Sequence, residues 1–290
     1  MRTLHANFIR RAVSAARHHL VARLAGLAAP AAGAGLVLVV SGCGDALPKS
    51  STGEVSRARQ VAPSIITPTA PAYREVKVAN GGSVSGTVDI DGSLPADTIV
   101  KQGIDQVICG DGGPDGSALH RGSRLENVVV WLEGVKAGKE IPPARRFHLD
   151  HVKCSLVNRV TTVIAGGTLQ VHSHDPLLHR TRFVRQASRE MLAVVSEMDV
   201  DQVVPDAAVV AKASLVEVTC DVHPWTHGWI AVFDHPYFTV TSETGAFRID
   251  SVPPGSYTLV TWHERSGRSE HAVVVQAGQA VTVAARVTVR

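Results

Sequence analysis

The stretch Val218-Thr219-Cys220-Asp221-Val222-His223-Pro224-Trp225-Thr226-His227-Gly228-Trp229-Ile230 places one thiol and one imidazole three residues apart in a rigid, aromatic turn. A thiolate at the end of a β-strand, followed by an imidazole in the next loop, supplies a soft sulfur and one nitrogen for a small metal site. The second nitrogen must come from elsewhere in the chain. His179 is the candidate, 41 residues upstream, in Val171-His172-Ser173-His174-Asp175-Pro176-Leu177-Leu178-His179-Arg180. There a β-like run over 167–171 breaks at Asp175-Pro176 and returns to a histidine.

This order resembles the cupredoxin (plastocyanin- and azurin-like) family, in which a first histidine follows an Asn-x-Asp turn and the other ligands follow as Cys-x2-His-x2-Met. The matching positions are His179, Cys220, His223 and Thr226. The resemblance implies a Greek-key β-sandwich with copper as cofactor, held by two histidines and one cysteine. Two positions depart from the pattern: Thr226 stands where the family carries its weak axial methionine, and Ser173 where the turn carries asparagine. The long axial bond mainly tunes redox potential, so its loss need not abolish copper binding. His227 adjoins the axial position and is a possible substitute ligand, although a histidine on a loop tip is more often a solvated residue. Trp225 and Trp229 read either as a shield for the site or as core aromatics.

The composition outside this stretch favours an all-β chain. Thr, Val and Gly recur in short alternating runs, and the second half shows little helical periodicity. Strands are expected at 82–90, 125–134, 160–164 and 229–233. The segment 165–171 is expected to be a hairpin partner of 160–164, and 185–194 reads as a short helix. A β-hairpin is expected to begin at Gly81–Gly92, where the strand runs into an Asp-Gly turn.

Residues 239–264 carry a second pattern, Thr241-x3-Gly245-x-Phe247-x-Ile249 followed by Val252-Pro253-Pro254-Gly255-x-Tyr257-x-Leu259. It resembles the carboxypeptidase regulatory-like, transthyretin-type β-sandwich. Gly245 would turn a hairpin, Phe247 and Ile249 would share one face, and Pro-Pro-Gly would reverse the chain so that Tyr257 and Leu259 pack back. That family begins with a Gly-x-Val-x-Gly-x-Val strand, which Gly82–Val88 also resembles. The expected organisation is a cupredoxin-like domain over 81–235 followed by a regulatory-like module over 236–290. The alternative is that the strand at 82–90 completes the second module and the cupredoxin unit is inserted. Exported relatives of this combination also carry a Cys-x-Phe-x-Pro-His-Val motif, where this chain has Cys154-Ser155-Leu156-Val157-Asn158-Arg159-Val160.

Residues 1–42 hold five arginines and no acidic residue, then an apolar run ending in Val40-Ser41-Gly42-Cys43. This reads as an export signal, and the end of the run resembles the bacterial lipobox, which implies lipid attachment at Cys43. Gly44–Asn80, rich in Pro, Ser, Thr and Ala, reads as part of a 43–80 tether. The expected location is the cell envelope, lipid-anchored, with the outer membrane as default. Of 29 basic and 26 acidic residues, removal of the signal leaves 24 against 26, so the formal net charge falls from +3 to about −2. No basic stripe interleaved with aromatics remains, so no nucleic-acid partner is expected. With Cys43 assigned to lipid and Cys220 to metal, Cys109 and Cys154 most simply pair as a disulfide in an oxidising compartment, the alternative being two buried free thiols.

The reading that results is an envelope-tethered copper protein working in one-electron transfer or copper holding, with a redox partner protein. A metal-free scaffold or binding module is the alternative. An enzyme is not expected. Cys220 and His223 could form a nucleophilic dyad with Asp175 or Glu217 as orienting group, but a strand-end thiol before His-Pro-Trp fits ligation better. His235 is expected to make turn hydrogen bonds, and His263-Glu264 to sit exposed at a strand end.

Overall fold

The computed structural model describes residues 72–93, 96, 98–143, 145–198, 201–204 and 208–289; the export signal, Cys43 and most of the 43–80 tether lie outside the described residues. The chain is all-β. Its one helix among the described residues is a single turn, Gln106–Cys109.

The β-branched run Gly82–Ile90 does not form a hairpin with the segment that follows it. It pairs antiparallel with Ala246–Val252 and parallel with Ala280–Val287, placing Val84 opposite both Ile249 and Val281. A second sheet runs Phe238–Val240, Val129–Glu133, Gly255–His263, Gly267–Val275, antiparallel throughout. The faces of these two sheets bury Val88, Leu132, Tyr237, Phe247, Ile249 and Leu259 in one core. Phe247 and Ile249 share its inner side as period-2 alternation requires, and Gly245, at φ 68°, makes the turn before them.

The remaining strands form a second pair of sheets. One is ordered Val160–Ile164, His227–Phe233, Ser214–Cys220, His179–Arg185, Met191–Glu197; the other Ser155–Leu156, Arg146–Val152, Thr168–Ser173, Asp201–Val203. Their core includes Leu149, Val171, Phe183, Val218 and Ile230. The division expected at 235/236 therefore does not follow the strand pairing. Gly82–Ile90 and Val129–Glu133 belong to sheets completed by residues after 236, and the sheets of 146–233 are inserted between them. Long-range ladder bonds decide this, and strand-level alternation carries no information about which distant strand is the partner.

Two local expectations give way to tertiary pairing. Segment 165–171 is not the hairpin partner of Val160–Ile164. Thr168–Ser173 pairs in parallel with Arg146–Val152, and Val160–Ile164 with His227–Phe233, so the chain changes sheets at Ala165–Gly167. The segment 185–194 is not a helix but a β-hairpin, in which Phe183 faces Ala193 across a bulge and Arg189, at φ 56°, turns the chain. The helical propensity of Gln, Ala, Arg and Glu there is overridden by ladder bonds and the burial of Phe183 and Val195.

A third cluster joins the inserted sheets to the host sandwich. Trp229 meets Trp262 edge to face at 5.0 Å between centroids, and Phe233 stacks on Phe238 at 4.4 Å, with Val129, Val160 and Ala231 around them. Trp229 is thus a core aromatic of this seam. Above it Arg159 makes a two-point ion pair with Glu264.

Here the expectation for His263-Glu264 also fails. His263 is 1% exposed and Glu264 is held inside the Arg159 ion pair. Burial pushes the His263 imidazole down to about 4, against the opposing pull of Glu264. With its folded value below the unfolded one of about 6.5, the unfolded chain takes up the proton first. The stability this neutral histidine confers is present above that unfolded value and is lost as pH falls through about 4. Urea unfolding at neutral pH and near pH 4.5 should show His263→Gln losing about 2 kcal/mol less than the wild type over that interval; equal losses would remove His263 from the acid-sensitive set.

Candidate metal centre

Ser214–Cys220 and His179–Arg185 are neighbours in the inserted five-stranded sheet, with Thr181 opposite Cys220 in register. This brings the end of the cysteine strand to the beginning of the histidine strand. The tight turn after Cys220, closed by the Thr226 N–H on the His223 carbonyl at 2.9 Å, folds His223 back over the same end. His179, Cys220 and His223 are all buried, and their ligand atoms lie within 4.8 Å of one another.

The distances are specific. Cys220 Sγ lies 3.9 Å from His179 Nδ1 and 3.9 Å from His223 Nδ1, and the two Nδ1 atoms lie 3.2 Å apart. A metal about 2.0 Å from each nitrogen and 2.3 Å from sulfur, at angles near 110–120°, requires donor separations of about 3.3–3.8 Å. The observed separations of 3.2 and 3.9 Å fall just outside that range, a difference that small side-chain movements close without rearrangement of the backbone. The sulfur also accepts the backbone N–H groups of His223 at 3.4 Å and Arg180 at 3.5 Å, which fix its position at the end of the strand.

Each imidazole is gripped from behind by a carboxylate. His179 Nε2 lies 3.1 Å from Asp175 Oδ2, and His223 Nε2 lies 3.2 Å from Asp105 Oδ2. Donation from Nε2–H to a carboxylate leaves the Nδ1 lone pair of each ring facing the other. Burial, with His223 next, holds His179 below the usual histidine range, so the ring presents a lone pair rather than a proton.

Asp175 does more than hold His179. Its carboxylate accepts the N–H groups of Lys153 at 2.7 Å and Cys154 at 2.8 Å, two residues in the left-handed region at φ 51° and 57°. Cys154 is joined to Cys109 by a disulfide. The Cys154 carbonyl accepts Trp225 Nε1–H at 3.0 Å and the Thr226 hydroxyl. Thr226 is 1% exposed and directs its hydroxyl to that carbonyl, away from the three donors. Trp225 packs 5.3 Å from the His223 ring and covers it. His227 is not among the donors. It begins the strand His227–Phe233, with Nε2 on Glu217 at 3.1 Å and Nδ1 beside Arg159 at 3.2 Å. Ser173 is fully buried, and its hydroxyl lies 3.2 Å from both the backbone N–H and the carbonyl of Asp175, closing the turn before His179.

Behind the site lies a buried polar relay that the sequence did not suggest. His151 stacks on His179 at 4.4 Å, and its Nε2 lies 2.9 Å from Thr181 Oγ1, which donates to Glu197 at 2.6 Å. Burial pushes His151 down to about 3 and Glu197 up to about 7, so both are neutral at mildly acidic pH. Asp105 likewise gave no sequence signal, because its role depends on the loop 103–109 being tied to Cys154. His235 accepts the Tyr237 N–H on Nδ1 at 3.2 Å and takes no part in the site.

Residues 205–283 match the family model for polysaccharide lyase family 4, domain II. A search of curated proteins returns no match. Among solved structures, amicyanin from Paracoccus versutus (Thiobacillus versutus) is 16% identical over 32% of this chain and 85% of that one, with a TM-score of 0.26. A copper-containing nitrite reductase from Thermus scotoductus SA-01 is 18% identical over 36% of this chain and 24% of that one, with a TM-score of 0.27.

Proposed function

We propose that this chain is a lipid-anchored protein of the bacterial envelope that holds copper at His179, Cys220 and His223 and passes single electrons to a redox partner. The observation that carries the metal reading is the pair of Nδ1 atoms 3.2 Å apart with both Nε2 atoms committed to carboxylates. With each Nε2 donating to its carboxylate, both Nδ1 atoms would offer lone pairs to one buried space, and a cation there would be held by His179, Cys220 and His223.

A copper ion in this set supplies one-electron chemistry, for which thiolate and imidazole together suit both oxidation states. The chain's own residues do the rest. Asp175 and Asp105 fix the ring orientations, the backbone N–H groups of His223 and Arg180 stabilise the sulfur, and Trp225 keeps water from the His223 face. A site whose donors are already in place changes little between oxidation states, which lowers the reorganisation that electron transfer requires. With Thr226 directed at the Cys154 carbonyl, the ion would be held chiefly by His179, Cys220 and His223.

Titration of the purified protein with Cu(II), followed by visible absorption and EPR, tests this. An intense thiolate-to-copper charge-transfer band is expected, and Cys220→Ser should lack it while keeping the wild-type far-UV spectrum. Absence of the band and of stoichiometric copper in the wild type would overturn the reading and leave a metal-free binding module.

A further inference from the structure

A second set of soft donors lies against the first. The sulfurs of Cys109 and Cys154 and a ring nitrogen of His223 lie within 4.8 Å of one another, and all three residues are buried. In the oxidised protein the two sulfurs are bonded to each other and are poor ligands. We propose that opening the Cys109–Cys154 disulfide creates a Cys2His site, formed by Cys109, Cys154 and His223, for a thiophilic closed-shell ion. The proposal shares His223 with the copper reading and stands without it.

The sulfurs have a reason to remain together after the bond breaks. Cys154 is held by backbone hydrogen bonds that do not involve its side chain: its N–H on Asp175, and its carbonyl accepting from Trp225 and Thr226. Cys109 closes the single helical turn with its N–H on the Asp105 carbonyl at 2.9 Å, and the Asp105 carboxylate is fastened to His223. Two thiolates and one imidazole at such separations match the Cys2His donor set of zinc sites, whose sulfur–sulfur distance is about 3.8 Å. Cys109 also lines a cavity of about 370 Å³, with Lys153, Trp225 and Thr226 along its wall, through which a small reductant approaches the bridge.

The chemistry balances with a dithiol as reductant. Its thiolate attacks one sulfur and releases the other cysteine as a thiolate; its second thiol then attacks its own sulfur in the mixed disulfide and releases the remaining cysteine, so that two electrons pass to the bridge as the dithiol becomes a cyclic disulfide. Two cysteine thiols result, and each loses its proton to solvent when the ion binds.

The test uses Cys220→Ser, which removes the first donor set, with Zn(II) as probe and Cu(I) in a parallel arm. The oxidised variant should retain no stoichiometric metal after dialysis. Once reduced by a phosphine and confirmed by thiol counting, it should retain about one equivalent, and the bound ion should protect Cys109 and Cys154 from alkylation. Adding Cys109→Ser and Cys154→Ser should abolish both effects. Retention in only one arm would identify the ion. If reduction unfolds the chain, Zn(II) should restore the folded near-UV spectrum, since binding to the native set is linked to folding. Equal metal content before and after reduction, or failure of Zn(II) to refold a reduced chain, would overturn the proposal; neither result depends on the copper band of the wild type.

Discussion

Gly86→Ala is expected to cost about 4 kcal/mol or more, enough to unfold a protein of ordinary stability at moderate temperature. Gly86 sits in the middle of Gly82–Ile90, opposite Phe247 on one side and Val283 on the other. A Cβ there would lie 1.8 Å from the Val283 carbonyl oxygen, 2.8 Å from its carbon and 3.1 Å from Phe247 Cζ. The nearest atoms are backbone, so relief requires the parallel ladder to part from Ala280–Val287. That ladder joins Gly82–Ile90 to Ala280–Val287, a strand far removed from it in sequence. Gly92→Ala is the control: φ is 94°, but nothing lies within 4 Å of the added atom, so only about 1 kcal/mol of backbone strain is expected. Thermal unfolding should separate the two by roughly 10 °C. Equal midpoints would mean that the Gly82–Ile90 ladder is not a stability determinant.

Asp175→Ala should damage both the fold and the centre. The carboxylate, 4% exposed, accepts from two backbone N–H groups and holds the His179 ring. Its removal leaves those donors buried without partners, at about 1–3 kcal/mol each if no water replaces them. A total near 3 kcal/mol is expected, since such losses are not additive. It also frees Lys153 and Cys154 from the bonds that hold them left-handed. For copper, loss of a carboxylate behind a ligating imidazole typically weakens affinity about 10–100-fold. Asp175→Asn keeps the shape and should recover part of the stability, but its amide can direct only one oxygen at three donors. Copper competition titrations and urea unfolding measured on all three proteins check the pair of effects. Affinity unchanged in Asp175→Ala would show that His179 needs no support from behind.

The pattern of what was legible follows from range. Cys220 and His223 are three residues apart and their relation is set by one turn, so the sequence displays it directly. Asp175 and His179 are separated by a single Asp-Pro turn and are nearly as readable. The Cys109–Cys154 bond became an expectation only after two other cysteines had been given roles. Asp105 and His151 were not readable, because each reaches the site through a contact with no local period: Asp105 lies 118 residues from His223. His227, adjacent in sequence to Thr226, begins the strand His227–Phe233 and is turned to Glu217 on the neighbouring strand.

By itself the sequence determined the all-β character, through alternation of β-branched residues, and it determined which side chains can act as soft and borderline donors. It also determined the turns, because Gly245, Asp175-Pro176 and Pro253-Pro254-Gly255 constrain φ and ψ locally. The tertiary structure decided which strands pair, and hence that 146–233 is inserted between strands of another sandwich. It also decided that His263 is buried, that 185–194 is a hairpin, and that Asp105, Asp175 and the disulfide meet behind the two imidazoles. The physical reason is that an alternating strand offers the same face and the same ladder groups to many partners. Only the summed burial of Trp229, Phe233, Trp262 and the two sandwich cores selects one pairing among them.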